Sequence, residues 1–320
     1  MRFIFKVCLF TVLMALALAM LPANSLDERW PVQEPASHTV ATVTPGKTLS
    51  QSLYELRGRG AGTPWEKEAA DILAAYFQEI GLQALPAYPS YLQEFPLGTV
   101  TSFYNAEGRL RFRSGGPLTQ VSQNVIGYLP GQDPEGKWII FGAHYDGQGE
   151  TDGIVYPSAN DNLSGVMALA ALAKALAAEP ALNDTLVFVA FGAEEPGLRG
   201  SYYLASDLPV PKEKIQAVIN LDTIGKTCET LVIYTTEHNA LTALLASVLR
   251  GYGFQSSVVI ATGVSDHYPF SLQGIPSVTI ATANWKEGNH SPEDTLDKVD
   301  LYQVGSIAGA LKQALHYLAR

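Results

Sequence analysis

Seven imidazole and carboxylate side chains fall along this chain where they could hold a divalent cation and move a proton: His144, Asp146, Asp161, Glu194, Glu195, Asp222 and His290. In Phe141-Gly142-Ala143-His144-Tyr145-Asp146-Gly147, His144 offers a neutral imidazole nitrogen. Asp146, two residues on, is near enough to orient that ligand or its neighbours. Asp161 precedes a helix, where a carboxylate can cap the N-terminus or bridge two cations, one oxygen to each. Glu194 and Glu195 are adjacent, and neighbouring carboxylates repel each other unless a cation relieves them. One could bind metal while the other stays free as a general base. Asp222 closes Ile219-Asn220-Leu221-Asp222, and His290 follows Asn289 in a loop. Each segment alone reads as an ordinary turn, cap or surface loop. Together, in this order, they supply oxygen and imidazole donors without a thiolate, a complement suited to two zinc ions.

The elements between these residues explain how they could meet. Trp138 to Ala143 is a short apolar run ending at His144, Thr185 to Phe191 one ending before Glu194, and Ile215 to Leu221 one ending at Asp222. Strand-like runs also cover Asn124 to Leu129, Leu231 to Thr235, Ser257 to Ala261 and Ser277 to Ile280. Helical patterns fill Leu163 to Ala178, Leu198 to Ser206, His238 to Arg250, a stretch near Asp266 to Leu272, and the chain from about Leu301. An earlier helix starts at Thr63-Pro64-Trp65-Glu66, an N-cap, a first-position Pro and a capping-box Glu. Strands alternating with helices imply an α/β domain whose mainly parallel sheet is covered on both faces. Ligands then bind at the carboxyl ends of the strands, where the candidate residues stand.

The 320 residues suffice for one large domain. With 47% hydrophobic and 16% charged residues the chain is that of a globular enzyme, not a disordered one. A net charge of −10 and the absence of any Lys/Arg run exclude a nucleic-acid footprint. Arg2 and Lys6, the apolar stretch 7–21 and the small-x-small Ala23-Asn24-Ser25 read as a signal peptide over residues 1–25, followed by a lead-in over 26–50. Export to the periplasm or outside is the expectation; a membrane is involved only if residues 7–21 stay as an anchor. Cys8 and Cys228 are the only cysteines, so a chain cleaved after the signal has no internal disulfide and no thiolate metal site.

The segments GAHYD, ANDNLSG, GAEE, NLD, SDHYPF and NHSPEDT, taken in order over 142–297, resemble the M28 family of zinc metallopeptidases. The resemblance implies a single zinc-exopeptidase α/β domain over 51–320, with a central mostly parallel mixed sheet between helices. It implies a dizinc aminopeptidase that acts on peptides with a free N-terminus. His144 and Asp222 would bind one zinc, Glu195 and His290 the other, and Asp161 would bridge them. Glu194 would be the general base, with Asp146 supporting His144. A cis peptide bond at Asp161-Asn162 is also implied. Many relatives carry a Tyr just before the last His, whereas this chain has Asn289. Ser265 to Phe270 is expected to support the site from behind, and His38, His238 and His316 to be ordinary histidines. The alternatives are a glutaminyl cyclase, which this family also resembles, and a non-catalytic binding domain. Oligomeric state is not readable from the sequence.

Overall fold

The computed structural model describes residues 48–319. The signal-peptide expectation, His38 and nearly all of the lead-in lie outside the described residues. Helices α1 (Leu49–Tyr54) and α2 (Pro64–Glu79) come first. Thr63 caps α2, its hydroxyl oxygen accepting the Glu66 N–H at 3.3 Å. The expected capping box is only half made. The Glu66 carboxylate turns away from Thr63 and accepts from the Gly62 and Ala193 N–H groups and the Ser122 hydroxyl.

Strands β1 (Gln83–Ala84), β2 (Leu92–Tyr104), β3 (Leu110–Leu129) and β4 (Trp138–His144) follow, then a small hairpin of β5 (Gly149–Thr151) and β6 (Ile154–Tyr156). The rest alternates: α3 (Ser164–Ala177), β7 (Thr185–Phe191), α4 (Arg199–Ser206), β8 (Ile215–Leu221), β9 (Thr230–Thr235), α5 (Ala240–Gly251), β10 (Gln255–Ile260), α6 (Tyr268–Leu272), β11 (Ser277–Thr282) and α7 (Leu301–Leu318). The main sheet has the order β1-β3-β7-β4-β8-β11-β9-β10, with β2 paired to β3. It is mixed. Strands β7, β4, β8 and β11 run parallel through its centre, and β9 and β10 are parallel at one edge. Antiparallel pairs join β3 to β1, β2 and β7, and β11 to β9.

Helices cover both faces, and strand alternation shows it. In β7, Leu186, Phe188 and Ala190 join the core beneath α2, α3, α5 and α7, while Val187, Val189 and Phe191 join the core beneath α4 and α6. Both sets are buried, which is why the strand reads as one continuous apolar run. Each fully buried Leu, Val or Phe side chain contributes roughly 1.5–3 kcal/mol.

One element departs from expectation. The apolar run at Asn124 to Leu129 is only the inner end of β3, which extends back to Leu110 and pairs with β2 along its length. Pro96, Gly98, Gly115, Gly116 and Pro117 interrupt the pattern, and register shifts on either side of Gly98 absorb the irregularity. The outer part of this hairpin is largely exposed on both strands, with Phe103, Tyr104, Leu118 and Val121 facing solvent among polar residues, so burial imposes no apolar periodicity that would announce it.

Candidate metal centre

Three parallel strands deliver ligands at one edge of the sheet. His144 ends β4, the turn after β7 carries Glu194 and Glu195, and Asp222 follows β8. That turn is tight: Ala193 has φ 51°, and a Cβ at Gly192 would lie 2.4 Å from the Gln123 carbonyl oxygen. Only glycine fits there, with Glu66 pressed beneath it. Asp161 comes from the segment between β6 and α3, where the Asp161–Asn162 peptide bond is cis. The Asn162 side chain ties this segment to the end of β8, donating to the Leu221 carbonyl at 2.8 Å and accepting the Thr223 N–H at 3.1 Å. Asn160 likewise accepts the Gly225 N–H at 2.8 Å. The ANDN run is thus a set of struts that holds Asp161 beside Asp222.

The residues converge. His144 Nε2 lies 3.3 Å from Asp161 Oδ1 and 3.6 Å from Asp222 Oδ1. His290 Nε2 lies 3.0 Å from Asp161 Oδ2 and 3.5 Å from Glu195 Oε2. Asp161 therefore turns one oxygen to each imidazole. Glu194 joins His144 and Glu195 in a third overlapping cluster. A tetrahedral zinc with bonds of about 2.0–2.1 Å separates its ligand atoms by about 3.3 Å, so these spacings fit such an ion.

The imidazoles are also correctly turned. His144 Nδ1 donates to the Asp146 carbonyl at 3.1 Å, and His290 Nδ1 donates to the Leu110 carbonyl at 2.6 Å. A proton fixed on each Nδ1 leaves each Nε2 lone pair facing the carboxylates, as metal-bound histidines require. The His144 Nε2 atom is buried without a hydrogen-bond partner.

Asp146 acts through two groups. Its main chain holds His144, and its carboxylate accepts the Glu194 and Glu195 N–H groups at 2.9 and 3.2 Å. Asn289 donates to Asp161 Oδ2 at 2.7 Å, so one of its N–H groups is engaged by that carboxylate. In the SDHYPF segment, Ser265 donates to Asp222 Oδ2 at 2.7 Å, Asp266 is fully buried, and His267 Nδ1 lies 2.7 Å from Thr279 Oγ1. His238 and His316 are exposed, away from these clusters.

The electrostatics describe a site built for cations. Burial lifts the Glu194 carboxyl well above the usual carboxylate range; His144 opposes this, and Glu195, Asp266 and Asp222 add to it. Burial likewise pushes Glu195 up to about 8. Burial opposes ionisation of Asp161 too, but the two facing imidazoles outweigh it and hold that carboxyl well below its ordinary value.

Four supporting residues have roles at the site that the sequence does not disclose, although Glu66 reads as a helix cap and Asp294 falls within the NHSPEDT segment. Arg59 is fully buried and donates to the carbonyls of Leu53, Tyr145, Pro157 and Ser158, clamping the strands that flank His144 and Asp161. Burial lowers its guanidinium to about 10, with Asp146 and Asp294 opposing. Glu66 secures the Ala193 N–H at 3.1 Å. Asp294 accepts the N–H groups of Asn160 and Asp161 at 2.8 and 3.0 Å. Gln148 donates to Glu195. Arg59, Glu66 and Asp294 act on main-chain groups of distant segments, and Gln148 acts through its own amide on the Glu195 side chain.

The clusters open into a cleft of about 440 Å³ lined by Arg111, Tyr234, Val264, Thr279, Ala281 and Trp285 besides the site residues. The chain is 31% identical to aminopeptidase YwaD of Bacillus subtilis over 206 residues, covering 60% of this chain and 44% of that protein. It thus spans less than half the length of this relative. A solved zinc aminopeptidase from Bacillus subtilis superposes with a TM-score of 0.69 at 19% identity, over 85% of this chain and 94% of that one. A solved glutaminyl cyclase from Porphyromonas gingivalis gives 0.63 at 19% identity, over 84% and 95%. At these identities the structures speak for a shared fold. The model of Peptidase family M28 matches residues 124–315. That span runs from β3 into α7 and takes in all seven converging residues, and the chain belongs to Peptidase family M28.

Proposed function

We propose that this protein is an exported two-zinc aminopeptidase that releases single amino acids from the free N-termini of peptides. The observation that carries the reading is one carboxylate, Asp161, turned to two imidazoles whose Nε2 atoms are freed by carbonyl contacts behind them. His144 and Asp222 would hold one ion, Glu195 and His290 the other, and Asp161 both. The bound ions supply an acidified water and a polarised scissile carbonyl. Glu194 makes no side-chain hydrogen bond among the described residues. Its carboxylate takes the proton of the attacking water and passes it to the leaving amine. Asp146 keeps Glu194 in place through the Glu194 N–H. Export is supported by the charged, apolar and small-residue pattern of residues 1–25.

The test incubates the purified protein, with zinc and with chelator, with peptides that include one beginning with Gln, and identifies products by mass spectrometry. Chelator-sensitive release of N-terminal amino acids is expected. Glu194→Gln should lower that release by about 10²–10⁴-fold with zinc content unchanged. Ammonia loss from the Gln peptide with no shortening of any peptide overturns the reading in favour of cyclisation.

A further inference from the structure

We propose that Arg111, braced by the neighbouring Arg109 stacked on Trp285, forms a subsite for a substrate carboxylate on the wall of the metal cleft, so that the enzyme favours peptides carrying an acid close to the scissile bond. The inference rests on the aminopeptidase reading.

Both residues belong to the outer part of the β2–β3 hairpin, beside Leu110, whose carbonyl orients His290. Arg111 lines the cleft together with Glu194, Glu195, His290 and Trp285. Among the described residues its guanidinium has no hydrogen bond or ion pair. The Arg109 guanidinium carbon lies 5.4 Å from the centre of the Trp285 ring, and its Nε and Nη2 atoms are buried without acceptors. Buried donors without acceptors carry a desolvation penalty, which for Arg109 the Trp285 ring face offsets in part, and they hold its cation next to Arg111.

The acidic ligands do not provide the missing acceptors. Asp161 and Glu195 turn their oxygens to the imidazoles at 3.0 and 3.5 Å. On the two-cation reading those carboxylates are already neutralised; Glu107 still faces Arg109, but Arg111, close to the like charge of Arg109, is left without a carboxylate of its own. Like charges so close are tolerated when an anion joins them. The planar fork of a guanidinium matches the two oxygens of a carboxylate better than any other common group in a peptide. In the peptide, that carboxylate is either the side chain of an N-terminal Asp or Glu, or the C-terminus of a very short chain. Strand alternation keeps Phe112 off this wall: it faces the other side of β3, where it lines a second cavity with Gln148 and Gly149 that meets the cleft at Glu195.

The experiment measures kcat/KM of the zinc-loaded enzyme in two arms. One compares amidated peptides that begin with Glu, Gln or Leu. The other compares Leu-Gly as free acid and as amide. A preference for the carboxylate on the order of tenfold or more is expected in one arm, which identifies its source. It should collapse in Arg111→Gln and in Arg109→Met, return in part in Arg111→Lys, and shrink with added salt. Arg113→Gln removes a cation on the same strand, stacked on Phe103 outside the cleft, and should leave the preference intact. Amino-acid release without a carboxylate preference in either arm overturns the subsite and leaves the aminopeptidase reading standing. So does a preference that survives both Arg109→Met and Arg111→Gln. No release from any peptide overturns the aminopeptidase reading itself, and the subsite with it.

Discussion

His144 takes its orientation from a carbonyl two residues away, His290 from a carbonyl 180 residues away. Both imidazoles present Nε2 to the same carboxylate. The first stands fully buried at the end of a central parallel strand, paired with Phe191 of β7 and two residues past the last pair with β8. The second sits in a loop with left-handed φ of 56° and depends on the outer hairpin for its partner. The same imidazole orientation is thus built once from local structure and once from a buried long-range contact with the β2–β3 hairpin. The halves should therefore differ in how easily they are disturbed.

Asp161→Ala removes the one group common to both halves. Zinc content measured by atomic spectroscopy should fall by more than half, and activity by on the order of 10³-fold or more. Retention of one full ion would mean that the halves are independent and that Asp161 belongs to only one of them. Next in size is Glu66→Ala, which acts on the strand-end side. It leaves the Gly62 and Ala193 N–H groups and the Ser122 hydroxyl without their acceptor. Denaturant unfolding should show a loss of about 3 kcal/mol, from roughly 1–3 kcal/mol per orphaned group with partial relaxation. The smallest effect sharpens the comparison most. Asn105 shapes the hairpin turn by accepting the Glu107 and Arg109 N–H groups at 3.1 and 2.9 Å. Asn105→Ala should weaken one of the two ions by about tenfold, through the Leu110 carbonyl, and leave the other unchanged. Titration of metal-free protein with zinc reads the two steps separately; equal weakening of both would erase the distinction.

The same contrast decides what the sequence discloses. Strands β4, β7 and β8 are covered on both faces, so burial writes them as mostly apolar runs, broken in β8 by Gln216 and Asn220, and each run stops at or just before a candidate ligand. Their boundaries are legible nearly to the residue. The outer β2–β3 hairpin has solvent on much of its surface, so its composition of Thr, Ser, Gly and Pro reads as loop. Yet it supplies Leu110 and Arg111. Among supporting groups, Glu66 is the instructive case. A Glu three residues after a capping Thr has a local explanation, and that explanation hides its bond to Ala193, 127 residues on. Arg59 gives no sign at all, because four main-chain carbonyls leave no residue-type signature in a sequence.

The contact between Leu110 and His290 also sets an order of assembly. Every segment that places His144, Asp161 and Asp222 precedes residue 290 in the chain, whereas the second imidazole comes from a loop near its end. Until that loop is in place the clamp on the second imidazole has nothing to hold. On the proposed reading, hydrolytic competence is a late property of biosynthesis, withheld from every chain that stops short of its last loop.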